Sequence, residues 1–199
     1  MKLFLVTSFT FLFLINFVEG QSFHSETDIT WSDSRPLTWK DFVGTIDNKS
    51  FGIALTASSI ICKPYFINDS IMLWIETIFI SDHSWKKRPD LDSFDLAHEQ
   101  THFNITELFS RRLRLIIDGT LKPEKYINTS DLLFKIDSSL TILSIECEKM
   151  QNLYDKETNH SMNRAEQIKW NYSICKDLER LKKWTTNSFF IRKLTIYKD

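Results

Sequence analysis

The sequence predicts an α+β fold: a small antiparallel sheet packed on one long metal-bearing helix, with a C-terminal helical pair behind it. Three observations carry this. Between Ile29 and Ile80, apolar and polar residues run in short stretches separated by turn residues, the pattern of strands. From Asp92 to about Trp184 the apolar period lengthens to that of helices. The first of those helices carries His98-Glu99-Gln100-Thr101-His102, an H-E-x-x-H motif.

The first twenty residues stand outside the fold. Lys2 gives a positive start, residues 3–18 are apolar, and Val18-Glu19-Gly20 offers a cleavage point. Residues 1–20 therefore read as a signal peptide, and residues 21–199 as a single domain. The apolar run is short for a membrane span and lacks a cationic flank. Export to the periplasm or beyond is expected, without stable membrane insertion after cleavage.

Charge and composition exclude several classes. Lys+Arg 25 against Asp+Glu 26 leaves a net charge of -1, so no bulk field recruits nucleic acid or anionic lipid. The four glycines form no phosphate-cradling loop, which argues against a nucleotide or flavin site. Three cysteines do not make a disulfide scaffold.

Along the mature chain, residues 21–28 are polar and read as a loose terminus. Leu37-Thr38-Trp39 precedes a turn at Val43-Gly44. Residues 53–62 and 71–80 read as two strands joined at Asn68-Asp69 into a hairpin. If the second of these borders the cleft, an extended peptide is expected to pair along its edge.

Pro89-Asp90-Leu91-Asp92-Ser93 then carries helix-start chemistry, with Asp92 or Ser93 as the cap. The helix is expected to reach Asp118, before Gly119 and Pro123. Phe94, His102, Ile105, Phe109, Leu113 and Ile116 share the side of His98, so both histidines belong to the buried face. Arg111 and Arg114 are expected in solvent. Glu107 rotates away from the histidines, as a solvated carboxylate or a support behind a ligand.

A second helix is expected from Ser130-Asp131 and a third to about Trp184, with a turn over residues 158–163. Cys147 and Cys175 lie nearly equidistant from that turn. In an antiparallel helical hairpin a disulfide between them is one expectation; two small buried hydrophobes are the other.

The motif has a definite chemistry. Residues four apart on a helix share a face, so His98 and His102 can hold one Zn2+. Glu99 beside them is the expected general base, taking a proton from water at the metal. A carboxylate beside a buried face is costly unless a positive charge compensates it. A catalytic zinc takes three protein ligands and keeps one position open. The third is expected within Tyr154-Asp155-Lys156-Glu157-Thr158-Asn159-His160. His160 leads and Glu157 follows, with Asp155 as a ligand or as the group that holds a ligand imidazole from behind. Tyr154 or His83 is a candidate oxyanion stabiliser, although His83 also reads as an ordinary loop histidine. Asn104-Ile105-Thr106 is a glycosylation triplet in form only, because it lies inside the motif helix.

Four segments in this order carry a resemblance: Arg35-Pro36-Leu37-Thr38-Trp39-Lys40-Asp41-Phe42, Ser84-Trp85, the stretch from His98 to Glu107, and the stretch from Tyr154 to His160. Together they resemble the bacterial family catalogued as domain of unknown function 922, described as predicted secreted Zn-dependent proteases. The resemblance covers almost all of the mature chain and implies a zincin-like architecture. It departs at Asn104, where the family favours Asp, and at Ser161, where it favours Gly. The expected activity is hydrolysis of peptide bonds in a peptide or protein substrate, with Glu99 as base. The alternative is a secreted or envelope zinc-binding protein without catalysis.

Overall fold

The computed structural model describes residues 27–50, 52–67, 70–120, 129–185 and 193–195. The expected signal peptide, the Asn68-Asp69 turn and Pro123 lie outside the described residues.

Strand β1 (Ile29–Thr30) is followed by β2 (Ala54–Leu55), β3 (Ser58–Ile67), β4 (Ser70–Phe79) and β5 (Trp85–Lys86). Then come helices α1 (Ser93–Thr120), α2 (Thr129–Thr158) and α3 (Arg164–Arg180), and strand β6 (Lys193–Thr195). The result is α+β: small antiparallel sheets packed against three helices.

The expected hairpin forms, with β3 and β4 in antiparallel register from Ser58 opposite Phe79 to Ile67 opposite Ser70. From Ile71 to Ile75 buried residues of β4 alternate with partly exposed ones, as period-2 patterning requires, and from Ile75 to Phe79 every residue is buried. The run over residues 53–62 is not one strand, however. Ala54 and Leu55 turn away to pair with β5 in a second sheet, and β3 starts only at Ser58.

The peptide-pairing expectation for residues 71–80 fails for a topological reason. β4 has β3 along one side; on the other, β1 pairs Ile78 and Phe79 and β6 pairs Ser70 to Met72. Between them the Trp31 N–H and Arg114 already take the carbonyls of Thr77 and Ile75, so no free run of ladder remains for a peptide. Among the described strands β3 ends the sheet, and Pro64, which cannot donate to a ladder, lies within it as edge strands allow. At the expected turn, Gly44 passes so close to a neighbouring segment that a Cβ would stand 2.6 Å from the carbonyl oxygen of Asp82.

α1 begins as its sequence indicates. Oδ1 of Asp92 accepts from the N–H groups of Phe94 (2.7 Å) and Asp95 (2.9 Å). Oδ2 of Asp95 accepts in return from the Asp92 N–H at 3.2 Å. This reciprocal capping satisfies donors that the helix leaves open.

The sheet, α2 and α3 all pack against α1, so this helix is buried on several sides rather than one. Phe103, Ile105, Leu108, Phe109, Leu113 and Ile117 fill the core. Arg111 and Arg114 are buried as well, against the expectation of solvent exposure. Glu107, fully enclosed, compensates them: its Oε1 accepts from Arg111 Nε at 2.8 Å and Arg114 Nη1 at 3.2 Å. Thr77 Oγ1 donates to the other carboxylate oxygen at 2.7 Å. The guanidinium groups then reach the carbonyls of Leu178, Trp184 and Ile75, stitching α1 to α3, to the chain after it and to β4.

α2 and α3 form the expected helical pair, and the turn between them falls where the sequence places it. Asn159, His160 and Ser161 all adopt positive φ, at 47°, 51° and 71°. Asn163 closes the turn by accepting from the Glu166 N–H through its side chain. The disulfide expectation is corrected: Cys147 and Cys175 are both free. Cys147 is wholly buried beside Thr106 and Gln151, whereas Cys175 is exposed on α3, so the hairpin turns the two thiols different ways. Among the described residues no helix is long and apolar enough to cross a membrane.

Candidate metal centre

α1 places His98 and His102 one turn apart on the side that meets α2, and α2 brings Asp155 to the same point. Nε2 of His98 and Nε2 of His102 are 3.1 Å apart. Oδ1 of Asp155 lies 3.1 Å from the first and 3.0 Å from the second. These three residues form a buried group that could hold a metal ion. Two imidazole nitrogens and a carboxylate oxygen suit zinc, whose tetrahedral ligands stand about 3.3 Å from one another. The triangle here needs to open by only a few tenths of an ångström, so the donor set fits the ion.

Both imidazoles are held from behind. The Tyr154 ring stacks on His98 at 4.6 Å and 20° and meets His102 edge-on at 4.9 Å. Trp170 of α3 packs against Tyr154 in turn. Gln151, one turn before Asp155 on α2, contacts Nδ1 of His102 at 2.6 Å. Glu99, 5 % exposed, points its carboxylate to Thr56, whose hydroxyl donates to Oε2 at 2.7 Å. Farther along α1, Gln100 accepts the Leu37 N–H at 2.7 Å, and Asn104 accepts the Trp31 indole N–H at 2.9 Å. Gln100 inside the motif and Asn104 just beyond it thus dock the N-terminal segment against the helix that carries the histidines.

The electrostatics follow from this packing. Burial disfavours the charged form of His102, yet the Asp155 carboxylate, with lesser help from Glu99 and Gln151, raises its pKa to about 9. Burial likewise opposes ionisation of Asp155. The charge of His102 and hydrogen bonds from His102, His160 and His98 outweigh it and hold the carboxyl far below its usual range. Burial pushes the Tyr154 phenol up.

The expected site residues separate clearly. His98, His102 and Asp155 converge, with Glu99 beside them. His160, the leading sequence candidate for third ligand, is not in the converging group. Its side chain is 59 % exposed on the left-handed turn, and its Nδ1 lies 3.4 Å from Oδ1 of Asp155. That hydrogen bond raises its pKa. Glu157 points away and accepts the Trp170 indole N–H at 2.8 Å. Tyr154 is fully buried, so it serves as a packing wall for the imidazoles rather than a donor open to substrate. His83 is exposed on the short turn Ser81–His83 after β4, outside the converging group.

Sequence reasoning missed Thr56 and Gln151. Nothing local marks Thr56, which precedes β3 in a stretch of small polar residues. Gln151 does carry a signal: with Cys147, Asp155 and Thr158 it continues one helical face at spacings of three and four.

Fold and centre together define an α+β protein with a possible His-His-Asp metal site. Searches against protein-family models, curated proteins and solved structures find no match to this chain. The resemblance drawn from the motifs therefore rests on those motifs alone.

Proposed function

We propose that this chain is an exported zinc-dependent peptidase of zincin-like architecture, related to the domain of unknown function 922 family. One observation carries the reading: three ligand atoms of His98, His102 and Asp155 meet within 3.1 Å of one another, and the buried carboxylate of Glu99 is near enough to act electrostatically on His102. A zinc ion held by these residues would supply positive charge that acidifies water and polarises a carbonyl.

The chain's own groups do the rest. Glu99 takes a proton from the attacking water and passes it to the departing amine nitrogen. Thr56 fixes one oxygen of that carboxylate, so the base keeps one orientation. β3, whose lead-in residue Thr56 touches Glu99, is the edge along which an extended peptide pairs. Asp155 is held on its solvent side by His160.

A closed, non-catalytic zinc site is the second reading. His160 favours it, since at 3.4 Å from Asp155 it stands near enough to become a fourth ligand.

The test pairs metal content with hydrolysis. Purified protein is expected to hold one zinc per chain after dialysis and to cleave unfolded polypeptide. Glu99→Gln should keep the zinc and lose at least a hundredfold in rate, in line with general-base catalysis worth about 10²–10⁴. Zinc retained without hydrolysis in either protein would favour the closed site. No zinc at all, even when offered, would return the histidines to the core.

A further inference from the structure

Gln151 is buried in the middle of the molecule, and the contacts of its amide are specific. Its Nε2 lies 3.0 Å from the backbone carbonyl oxygen of His102 and 3.2 Å from Oγ1 of Thr106. Its Oε1 lies 2.6 Å from Nδ1 of His102. A carbonyl oxygen only accepts, so the amide nitrogen must face it. The reverse orientation would press two carbonyl oxygens together. With the amide so fixed, Oε1 confronts Nδ1, and because Oε1 too can only accept, Nδ1 must carry a proton. A neutral imidazole protonated at Nδ1 has its lone pair at Nε2. That is the nitrogen pointing at His98 and Asp155.

Thr106 extends the chain of contacts outward. Its hydroxyl lies 2.7 Å from Oγ of Ser58, the first residue of the edge strand β3. A continuous path therefore runs Ser58, Thr106, Gln151, His102, from the sheet edge to the centre. His98 lacks a counterpart: among the described residues no hydrogen-bond partner meets its buried Nδ1, and the stacked ring of Tyr154 holds it.

We propose that Gln151 is the positioning residue of the metal centre: it selects the tautomer of His102 and anchors that ligand to β3 through Thr106 and Ser58. The inference rests on the metal-binding reading of the same site. It assigns the two histidines different supports, so they should respond differently to change.

The experiment uses the whole mature chain with zinc alone as the probe. Zinc affinity is measured by competition with a chromophoric chelator for wild type, Gln151→Leu and Gln151→Glu. Long-range proton–nitrogen NMR of the wild type then reads the histidine tautomers directly. His102 is expected to bind through Nε2 with Nδ1 protonated. Gln151→Leu is expected to weaken zinc binding about 10- to 100-fold. Gln151→Glu, which keeps an acceptor toward Nδ1, should recover part of that loss. Since the NMR measurement needs no variant, poor folding of Gln151→Leu would not spare the inference. Coordination of His102 through Nδ1, or equal zinc affinity in wild type and Gln151→Leu, would overturn it while leaving the metal site intact. A wild type that binds no zinc would overturn the metal reading and this inference with it.

Discussion

Thr56 donates its hydroxyl proton to Oε2 of Glu99 at 2.7 Å, across a contact in which both side chains are almost wholly buried. The residue thus ties the glutamate of the motif to the short link between β2 and β3. A buried acceptor deprived of its donor costs about 1–3 kcal/mol. Thr56→Val keeps the shape and removes the hydroxyl. It should lower the stability of the metal-free protein by about that amount in urea denaturation. Thr56→Ser should lose less than half as much. Equal stability of the valine variant and wild type would show that the bond does not anchor Glu99.

The identity of the third ligand separates the structure from the sequence reading most sharply. Asp155 converges with both imidazoles, whereas His160 touches only Asp155 among the ligand group. Asp155→Ala should therefore abolish zinc retention on dialysis. His160→Ala should retain the metal, with an affinity loss of roughly tenfold, the scale for groups that orient a ligand. Glu157→Gln should be neutral for zinc, because Glu157 serves Trp170 instead. Elemental analysis of the three variants decides it; the reverse order for Asp155 and His160 would reinstate the histidine.

Why the sequence led with His160, where the structure brings Asp155 to the histidines, is a matter of helix phase. His98, Glu99 and His102 are readable because their geometry is local to one helix. Asp155, Glu157 and His160 lie within two turns of one another, and only the packing of α2 on α1 decides which reaches the histidines. α2 continues to Thr158, so Asp155 keeps the face of Gln151 while Glu157 turns toward α3. His160 lies past the helix end on left-handed backbone. The β3–β4 hairpin was legible for the same local reason, an alternating run over residues 71–80 that follows a turn and a stretch rich in Ile, Ala, Ser and Thr. The edge strand was not, since which strand is central depends on β1 and β6 arriving from both ends of the chain.

Arg111 and Arg114 are buried although they lie off the apolar stripe of α1, because that helix is covered on several sides rather than one. Their spacing of four and seven from Glu107 sets all three on one side of α1, and the end of α3 with the chain after it closes over them. Removing the carboxylate from such a buried cluster costs about 3–5 kcal/mol, since the remaining charges stay out of water. Glu107→Ala should accordingly be among the most destabilising single changes in the protein, measured by urea denaturation of the metal-free form. It should also loosen the segment around Trp184, whose carbonyl depends on Arg114, and so speed amide exchange there. A loss below 1 kcal/mol, with exchange unchanged, would mean that water reaches the cluster.

Protons and metal compete for the same atoms, and this gives the centre a definite pH dependence. His102 is raised from 6.5 to about 9 in the metal-free protein; burial opposes the shift and the Asp155 carboxylate drives it. A raised folded pKa contributes stability that is complete below the unfolded value and disappears as pH rises through the folded one. Asp155 is lowered from 3.8, so its contribution is present above that value and is lost as pH falls below it. Both describe one ion pair, counted once. The metal-free chain should therefore be most stable between about pH 4 and 6.5 and weaken toward pH 9. Zinc reverses the alkaline limb. At pH 7.5 an incoming ion must displace the extra proton on His102, so calorimetry in buffers of differing ionisation enthalpy should show about one proton released per zinc. The release should decline above pH 9, where zinc affinity stops rising. Zinc uptake without proton release at pH 7.5 would mean that His102 is neutral beforehand and that Asp155 does not hold it as a cation.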